Sequence, residues 1–152
     1  LVAMARVLAA VLALAVIGSA SAISMVPDSM TWKSCGSSKD HCPVSKVIMT
    51  PDPGIIGKNI QFNVTCTADE TVSGGTSVNQ AYIDGIQVLQ KTFQLCDLAG
   101  EGCPAPPGVH TTAGGMPVPA ITPPGTVQLK ITNTDQNGAS LNCIEATFQV
   151  QH

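Results

Sequence analysis

Titratable and aromatic side chains are scarce in this chain, and the scarcity excludes most chemistry. Charged residues make up 11% of the sequence and aromatics 3%, too little to build the clustered carboxylates and imidazoles on which acid–base catalysis rests. The three histidines, His41, His110 and His152, are scattered. No G-x-S-x-G elbow, H-E-x-x-H helix, phosphate-binding loop or G-x-G-x-x-G turn occurs. Asp52 lies between two prolines, where turn hydrogen bonding accounts for it, and Glu145 falls on the outward side of a strand pattern. Acidic residues outnumber basic ones, ten to seven, which opposes docking on nucleic-acid phosphates or strong electrostatic attraction to anionic lipid. The chain is therefore expected to be no enzyme, to use no cofactor and to bind no nucleic acid.

Long apolar runs are also missing, with one exception at the start. Residues 7–18 form a twelve-residue apolar run behind Arg6. It falls short of the roughly 20 residues that a spanning helix needs, and Ala20-Ser21-Ala22 follows as a small-residue cleavage site. Residues 1–22 are expected to be a secretory signal peptide, with Met4 as the start. Residues 23–152 are then one domain, enough for a real core but not comfortably for two. Its expected place is outside the cell or in the lumen of a lysosome or vacuole.

Cysteine, by contrast, is plentiful. Cys35, Cys42, Cys66, Cys96, Cys103 and Cys143 make an even count behind a leader, which reads as three disulfides in an oxidising compartment. Zinc is the competing use, but the spacing is C-x6-C twice, without the paired C-x2-C of structural zinc sites, so no metal is expected. Six cysteines permit 15 pairings, and spacing does not choose among them.

Period-two alternation supplies the fold class. Ile60, Phe62 and Val64 alternate with polar residues, as do Val127, Leu129 and Ile131, and Ile144, Ala146, Phe148 and Val150. Shorter strand candidates are 31–36, 45–50, 77–83 and 86–89 with its extension to 95. Turns fall between them at Pro51-Asp52-Pro53-Gly54, Gly74-Gly75, Asp84-Gly85, Pro123-Pro124-Gly125 and Asn137-Gly138. About seven strands, each with one polar face, imply an all-β protein of two antiparallel sheets packed face to face. Residues 99–124, rich in proline, read as an irregular loop, and a loop that long is usually functional. Asn63-Val64-Thr65 is a glycosylation sequon, with Asn63 on the solvent side of its strand. Alternation alone describes a filled sandwich core, and a secreted interaction module would fit it.

These pieces resemble a known family. Trp32-Lys33-Ser34-Cys35-Gly36, Pro51-Asp52-Pro53, Gly57-Lys58-Asn59-Ile60, Leu95-Cys96 with Cys103-Pro104, Pro123-Pro124-Gly125 and Leu141-Asn142-Cys143-Ile144 run in the order seen in the MD-2-related lipid-recognition (ML) domain. The resemblance is closest to Niemann-Pick type C2 proteins and phosphatidylglycerol/phosphatidylinositol transfer proteins. It implies an immunoglobulin-like β-sandwich with an internal apolar cavity for a sterol or the acyl chains of a phospholipid. It also implies the bonds Cys35–Cys143, Cys96–Cys103 and, with them, Cys42–Cys66, where many relatives close their middle bridge within one short loop. Thr126 departs from the pattern, since relatives usually carry an aromatic after Pro-Pro-Gly.

On this reading Ile60, Phe62, Val64, Ile83, Val88, Phe93, Val127, Leu129, Ile131, Ile144, Ala146 and Phe148 line the cavity. Met116, Val118 and Ile121 form an adaptable rim, methionine being the most deformable apolar side chain. The expected function is a monomeric secreted carrier that touches membranes transiently and moves a lipid between them. A lipid-sensing co-receptor of the same fold is the other outcome the resemblance allows.

Overall fold

The computed structural model describes residues 30–98 and 102–152; the expected signal peptide lies outside these. Among the described residues the chain forms nine strands and one 3-10 turn. The strands are β1 (Thr31–Ser34), β2 (Val44–Thr50), β3 (Gly54–Ile55), β4 (Asn59–Ala68), β5 (Gly75–Ile83), β6 (Ile86–Gln94), β7 (Gly108–Pro117), β8 (Gly125–Asp135) and β9 (Ser140–Gln151). The 3-10 turn, Leu95–Asp97, follows β6. The larger sheet runs β1-β9-β8-β5-β6, with β3 added to β9, and the smaller runs β2-β4-β7. Their apolar faces pack together as an immunoglobulin-like β-sandwich.

The alternating strands supply the contact between sheets. On β4, Ile60, Phe62 and Val64 are buried while Gln61 is exposed; on β9, Ile144, Ala146, Phe148 and Val150 are buried. Phe62 and Phe148 meet across the sheets with ring centroids 5.7 Å apart and planes tilted by 59°, a geometry worth about 0.5–1.5 kcal/mol beyond the area it buries. Val47 and Met49 pair with Val64 and Phe62 across the smaller sheet and share that inner face. The β5–β6 hairpin turns on Asp84 and Gly85, both with positive φ (51° and 78°), as a two-residue turn matched to strand twist requires.

Two regions differ from the sequence expectation. Residues 99–124 are not all loop: β7 pairs with β4 along its full length, from Asn59↔Pro117 to Ala68↔Gly108. Its Thr111-Thr112-Ala113-Gly114-Gly115 carries no apolar alternation, and the surrounding prolines fall at its ends or beyond them. Gly54, read as part of a turn, begins β3, which runs parallel to β9 rather than antiparallel.

The sandwich has two unlike ends. All three disulfides gather at one: Cys35–Cys143, Cys42–Cys66 and Cys96–Cys103, the pairing the resemblance implies. There the segment before β2 is laced to β9 through Cys35 N–H to Cys143 O (2.9 Å) and Cys42 N–H to Leu141 O (2.8 Å). At the opposite end the β7–β8 connection is tied to the β3–β4 turn, Gly57 N–H donating to Val118 O and Val118 N–H to Lys58 O, both at 2.9 Å.

Candidate functional site

The free edges β6 and β7 are not hydrogen-bonded to each other, so the two sheets stand open along one side. Behind that opening, at the end without disulfides, lies an apolar cavity of about 230 Å³. Ile60 and Met116 form its wall on the smaller sheet; Ala81, Ile83, Val127, Phe148 and Val150 form the wall on the larger one. Val118, Pro119, Ile121 and Pro123 close it from the β7–β8 connection, and Val88 and Leu89 from β6. Thr122 is the one side chain with a hydroxyl in this lining, and no charged side chain takes part, so the cavity can hold apolar matter and little else.

Two smaller spaces continue between the sheets. One of about 30 Å³ is lined by Phe62, Val64, Phe93, Leu98, Ile131 and Asn133 among others, and it shares Met116 with the main cavity. The next, of about 90 Å³, lies among Cys42, Cys66, Cys103, Val72, Leu95 and Leu141 at the stapled end. Val64, Leu98, Thr112 and Asn133 border both of these spaces. Together they trace a line of weak packing from the open end to the disulfides.

The residues anticipated from sequence separate into three groups. Ile60, Ile83, Val88, Met116, Val118, Ile121, Val127 and Phe148 border the main cavity, and Phe62, Val64, Phe93 and Ile131 the middle one. Leu129, Ile144 and Ala146 border none of the three; at 1%, 0% and 2% exposed they are filled core. Val88, expected inside, stands at the mouth with 53% of its surface exposed, because a register shift between Ala81 and Tyr82 displaces the start of edge strand β6. The expected rim also divides. Met116 and Val118 are buried in the wall, and only Ile121, 94% exposed, projects.

Ala81, Leu89 and Val150 also line the main cavity. Val150 belongs to the β9 alternation and Leu89 to the β6 pattern, so both were within reach of it. Ala81 is too small to stand out in a sequence, yet its size is what leaves room opposite Ile60.

Around the mouth the apolar surface continues outward. Ile86, Val88 and Ile121 are all largely exposed, two of them forming part of the cavity lining itself. Ionic groups lie elsewhere: Lys33 and Glu145 pair at 3.0 Å on the outer face of the larger sheet, and the Lys33 ammonium holds the Glu145 carboxyl below its usual range. At the stapled end His41 Nδ1 lies 2.9 Å from Asp69 Oδ1. That hydrogen bond raises the His41 pKa, helped by the charges of Glu70, Asp69 and Asp135 and opposed by slight burial. Among the described residues no group of His, Cys, Asp or Glu is placed to hold a metal ion.

A family model for the ML domain matches residues 29–150. The chain belongs to the ML-domain family. ML-domain proteins bind or transfer lipids and are not enzymes. Among curated relatives, a phosphatidylglycerol/phosphatidylinositol transfer protein of Mycosarcoma maydis is 29% identical over 124 residues. The match takes in 78% of this chain and 64% of that protein, so this ML domain spans just under two thirds of the relative's length. Among solved structures, a Niemann-Pick type C2 protein from Japanese carpenter ant superposes with a TM-score of 0.63 at 15% identity, covering 80% of this chain and 99% of that one. Chicken MD-1 complexed with lipid IVa gives a TM-score of 0.57 at 16% identity, over 79% and 88% of the two chains. These two likenesses establish the fold of the ML domain.

Proposed function

We propose that this protein holds the apolar part of one lipid between its sheets and carries it between membranes. The observation that carries this reading is the continuity of the main cavity with the exposed apolar mouth. Val88 and Ile121 belong to both. Exposed apolar groups around a concave apolar site are the surface expected of a protein that docks on a bilayer and takes a lipid from it. The names of the fungal transfer protein and of the lipid IVa complex support the same class of ligand.

Each methylene transferred from water into the cavity contributes about 0.8 kcal/mol, so one acyl chain or a sterol body suffices for binding without charged contacts. A cavity of about 230 Å³ lies below the range of about 300–1,000 Å³ typical of ligand pockets. Loading therefore parts the sheets along the unpaired β6 and β7 edges, joining the main cavity to the smaller ones behind Met116. The carrier acts as a monomer in an oxidising compartment, outside the cell or in a lysosomal or vacuolar lumen. Asn63, half-buried on the outer face of β4, is its glycan acceptor.

The test is transfer between vesicles. Donor vesicles carry pyrene-labelled phosphatidylglycerol in one series and dehydroergosterol in another, and acceptors are unlabelled phosphatidylcholine. The protein should accelerate movement of at least one of the two above its spontaneous rate. Acceleration of neither contradicts the proposal, and the faster series identifies the cargo as phospholipid or sterol.

A further inference from the structure

We infer that the outer face of the larger sheet is a second binding site, for an extended, uncharged polysaccharide laid across the strands. It is separate from the inter-sheet cavity and independent of the carrier reading.

A broad groove of about 540 Å³ lies on this face, lined by residues of β1, β9, β8 and β5. Strand register sets its polar side chains in rows. Thr31 pairs with Thr147, Thr147 with Gln128, Gln128 with Tyr82 and Tyr82 with Gln87, so one row crosses the sheet from β1 to β6. The row beside it runs Lys33, Glu145, Lys130, Gln80 and Gln90. Neighbours in a row are separated by the strand spacing of about 4.8 Å, close to the length of one pyranose unit in an extended glycan. A sugar chain lying along the row therefore meets a hydroxyl or an amide at nearly every unit.

Several of these side chains are held by one another. Gln80 Nε2 donates to Gln87 Oε1 (3.3 Å) and to Gln90 Oε1 (3.1 Å), and Gln87 Nε2 donates to Gln90 Oε1 (3.2 Å). The Tyr82 hydroxyl donates to Gln87 Oε1 at 3.3 Å. Amides ordered in this way lose less freedom when a ligand arrives, and each retains an N–H or a carbonyl lone pair for a sugar hydroxyl.

The chemistry of the face selects the partner. The chain's only Trp and only Tyr, Trp32 and Tyr82, both border the groove, whereas Phe62, Phe93 and Phe148 border the spaces between the sheets. Tyr82, half-buried on this face and tethered at its hydroxyl, offers a ring on which the C–H side of a sugar can stack. Lys33 and Glu145 neutralise each other at 3.0 Å, and with Lys130 the groove carries a net single positive charge, too little to hold a polyanion. Nor is there an exposed apolar anchor of the kind a protein partner fills: Leu129 and Ala146 border the groove but are 1% and 2% exposed.

The experiment is isothermal titration calorimetry of the protein with uncharged β-1,4-linked oligomers of glucose, mannose and N-acetylglucosamine, each as trimer, pentamer and hexamer. At least one series should bind, its affinity rising about tenfold from trimer to pentamer. The hexamer should gain little more, because the row ends at the β1 and β6 edges. Tyr82→Ala should weaken the pentamer about tenfold and Gln128→Ala about fivefold. Gln128→Ala should leave vesicle-to-vesicle lipid transfer unchanged, since its side chain lies outside the lipid cavity. Binding by no series overturns the inference and leaves the carrier reading standing; absence of lipid transfer overturns the carrier reading and leaves this site standing. Binding of polygalacturonate but of no neutral oligomer makes the face an anion site and overturns the inference, as does neutral binding that survives both substitutions. Should Tyr82→Ala fail to fold, Gln128→Ala and the length dependence decide.

Discussion

The two ends of this sandwich solve opposite problems with the same strands. At one, three disulfides, the Asn133–Asn142 pair and the Asp135 turn tie strand ends and their connections together around little space. At the other, no disulfide is present, the edges β6 and β7 are not paired with each other, and the apolar cavity opens beside exposed Ile86, Val88 and Ile121. The difference teaches how a small domain can be hollow. A void forfeits packing at about 24 cal/mol per Å³, and the fold recovers that loss where the void is not. Covalent closure restricts the unfolded chain wherever it is placed, so it can be concentrated at the end that has no need to open.

Removing the staple with the widest span should break the comparison most severely. Cys35 and Cys143 are 108 positions apart, and closing so long a loop contributes about 4–5 kcal/mol on the chain-entropy model. Replacing both with Ser should lower the urea unfolding free energy by about that amount. The same change at Cys96 and Cys103, only 7 apart, should cost about 2.5 kcal/mol. Equal losses at the two would show that the staples act through native contacts instead.

The mouth should respond in the other sense. Ile121→Asp alters a side chain that is 94% exposed, so stability should stay within about 0.5 kcal/mol. Vesicle-to-vesicle transfer should nevertheless fall about tenfold, because a carboxylate resists entry into the bilayer surface. Unchanged transfer would place the membrane contact elsewhere.

How much of this could be read from residues alone depended on whether side chains or backbone carried the signal. β4, β8 and β9 are legible because Ile60, Phe62, Val127, Leu129 and Phe148 alternate strictly with polar neighbours. β7 is not, since its Thr, Ala and Gly residues owe their strand to pairing with β4 rather than to any pattern of their own. The cavity is only partly legible for a related reason. Alternation tells which residues face inward, but not which of them find a partner opposite. Leu129 and Ile144 face inward and are filled in; Ile83 and Val127 face inward beside small Ala81 on the same wall, toward the open end, and line the cavity. The displacement of Val88 came from a bulge that no residue in its own strand announces.

The smallest effect concerns pH and again belongs to the closed end. Burial alone would raise the Asp135 pKa, but N–H donors from Ala139 (2.6 Å) and Asn137 (2.8 Å), with the Asn137 side chain and Glu70, outweigh it and lower the value below the ordinary 3.8. Stability from this group is present above the ordinary Asp value and lost as pH falls through the lowered one. His41 has the opposite sign: its raised pKa adds stability that is complete below the ordinary 6.5 and is lost as pH rises through the folded value. Thermal midpoints should therefore be highest between about pH 4 and 6.5, with a shallow decline toward pH 8 that His41→Ala removes. A decline that persists in His41→Ala would assign it to another group.

The central claim, that the open end holds a lipid, is tested most directly by native mass spectrometry of the protein isolated under non-denaturing conditions without added detergent. The account predicts a species heavier than the protein by the mass of one lipid, released on acidification in organic solvent and identified there. It also predicts that Val118→Trp, which fills the main cavity from its wall, lacks that species while remaining folded. A protein that carries no lipid and takes none up from vesicles would contradict the claim, leaving a sandwich whose two ends differ for some other reason.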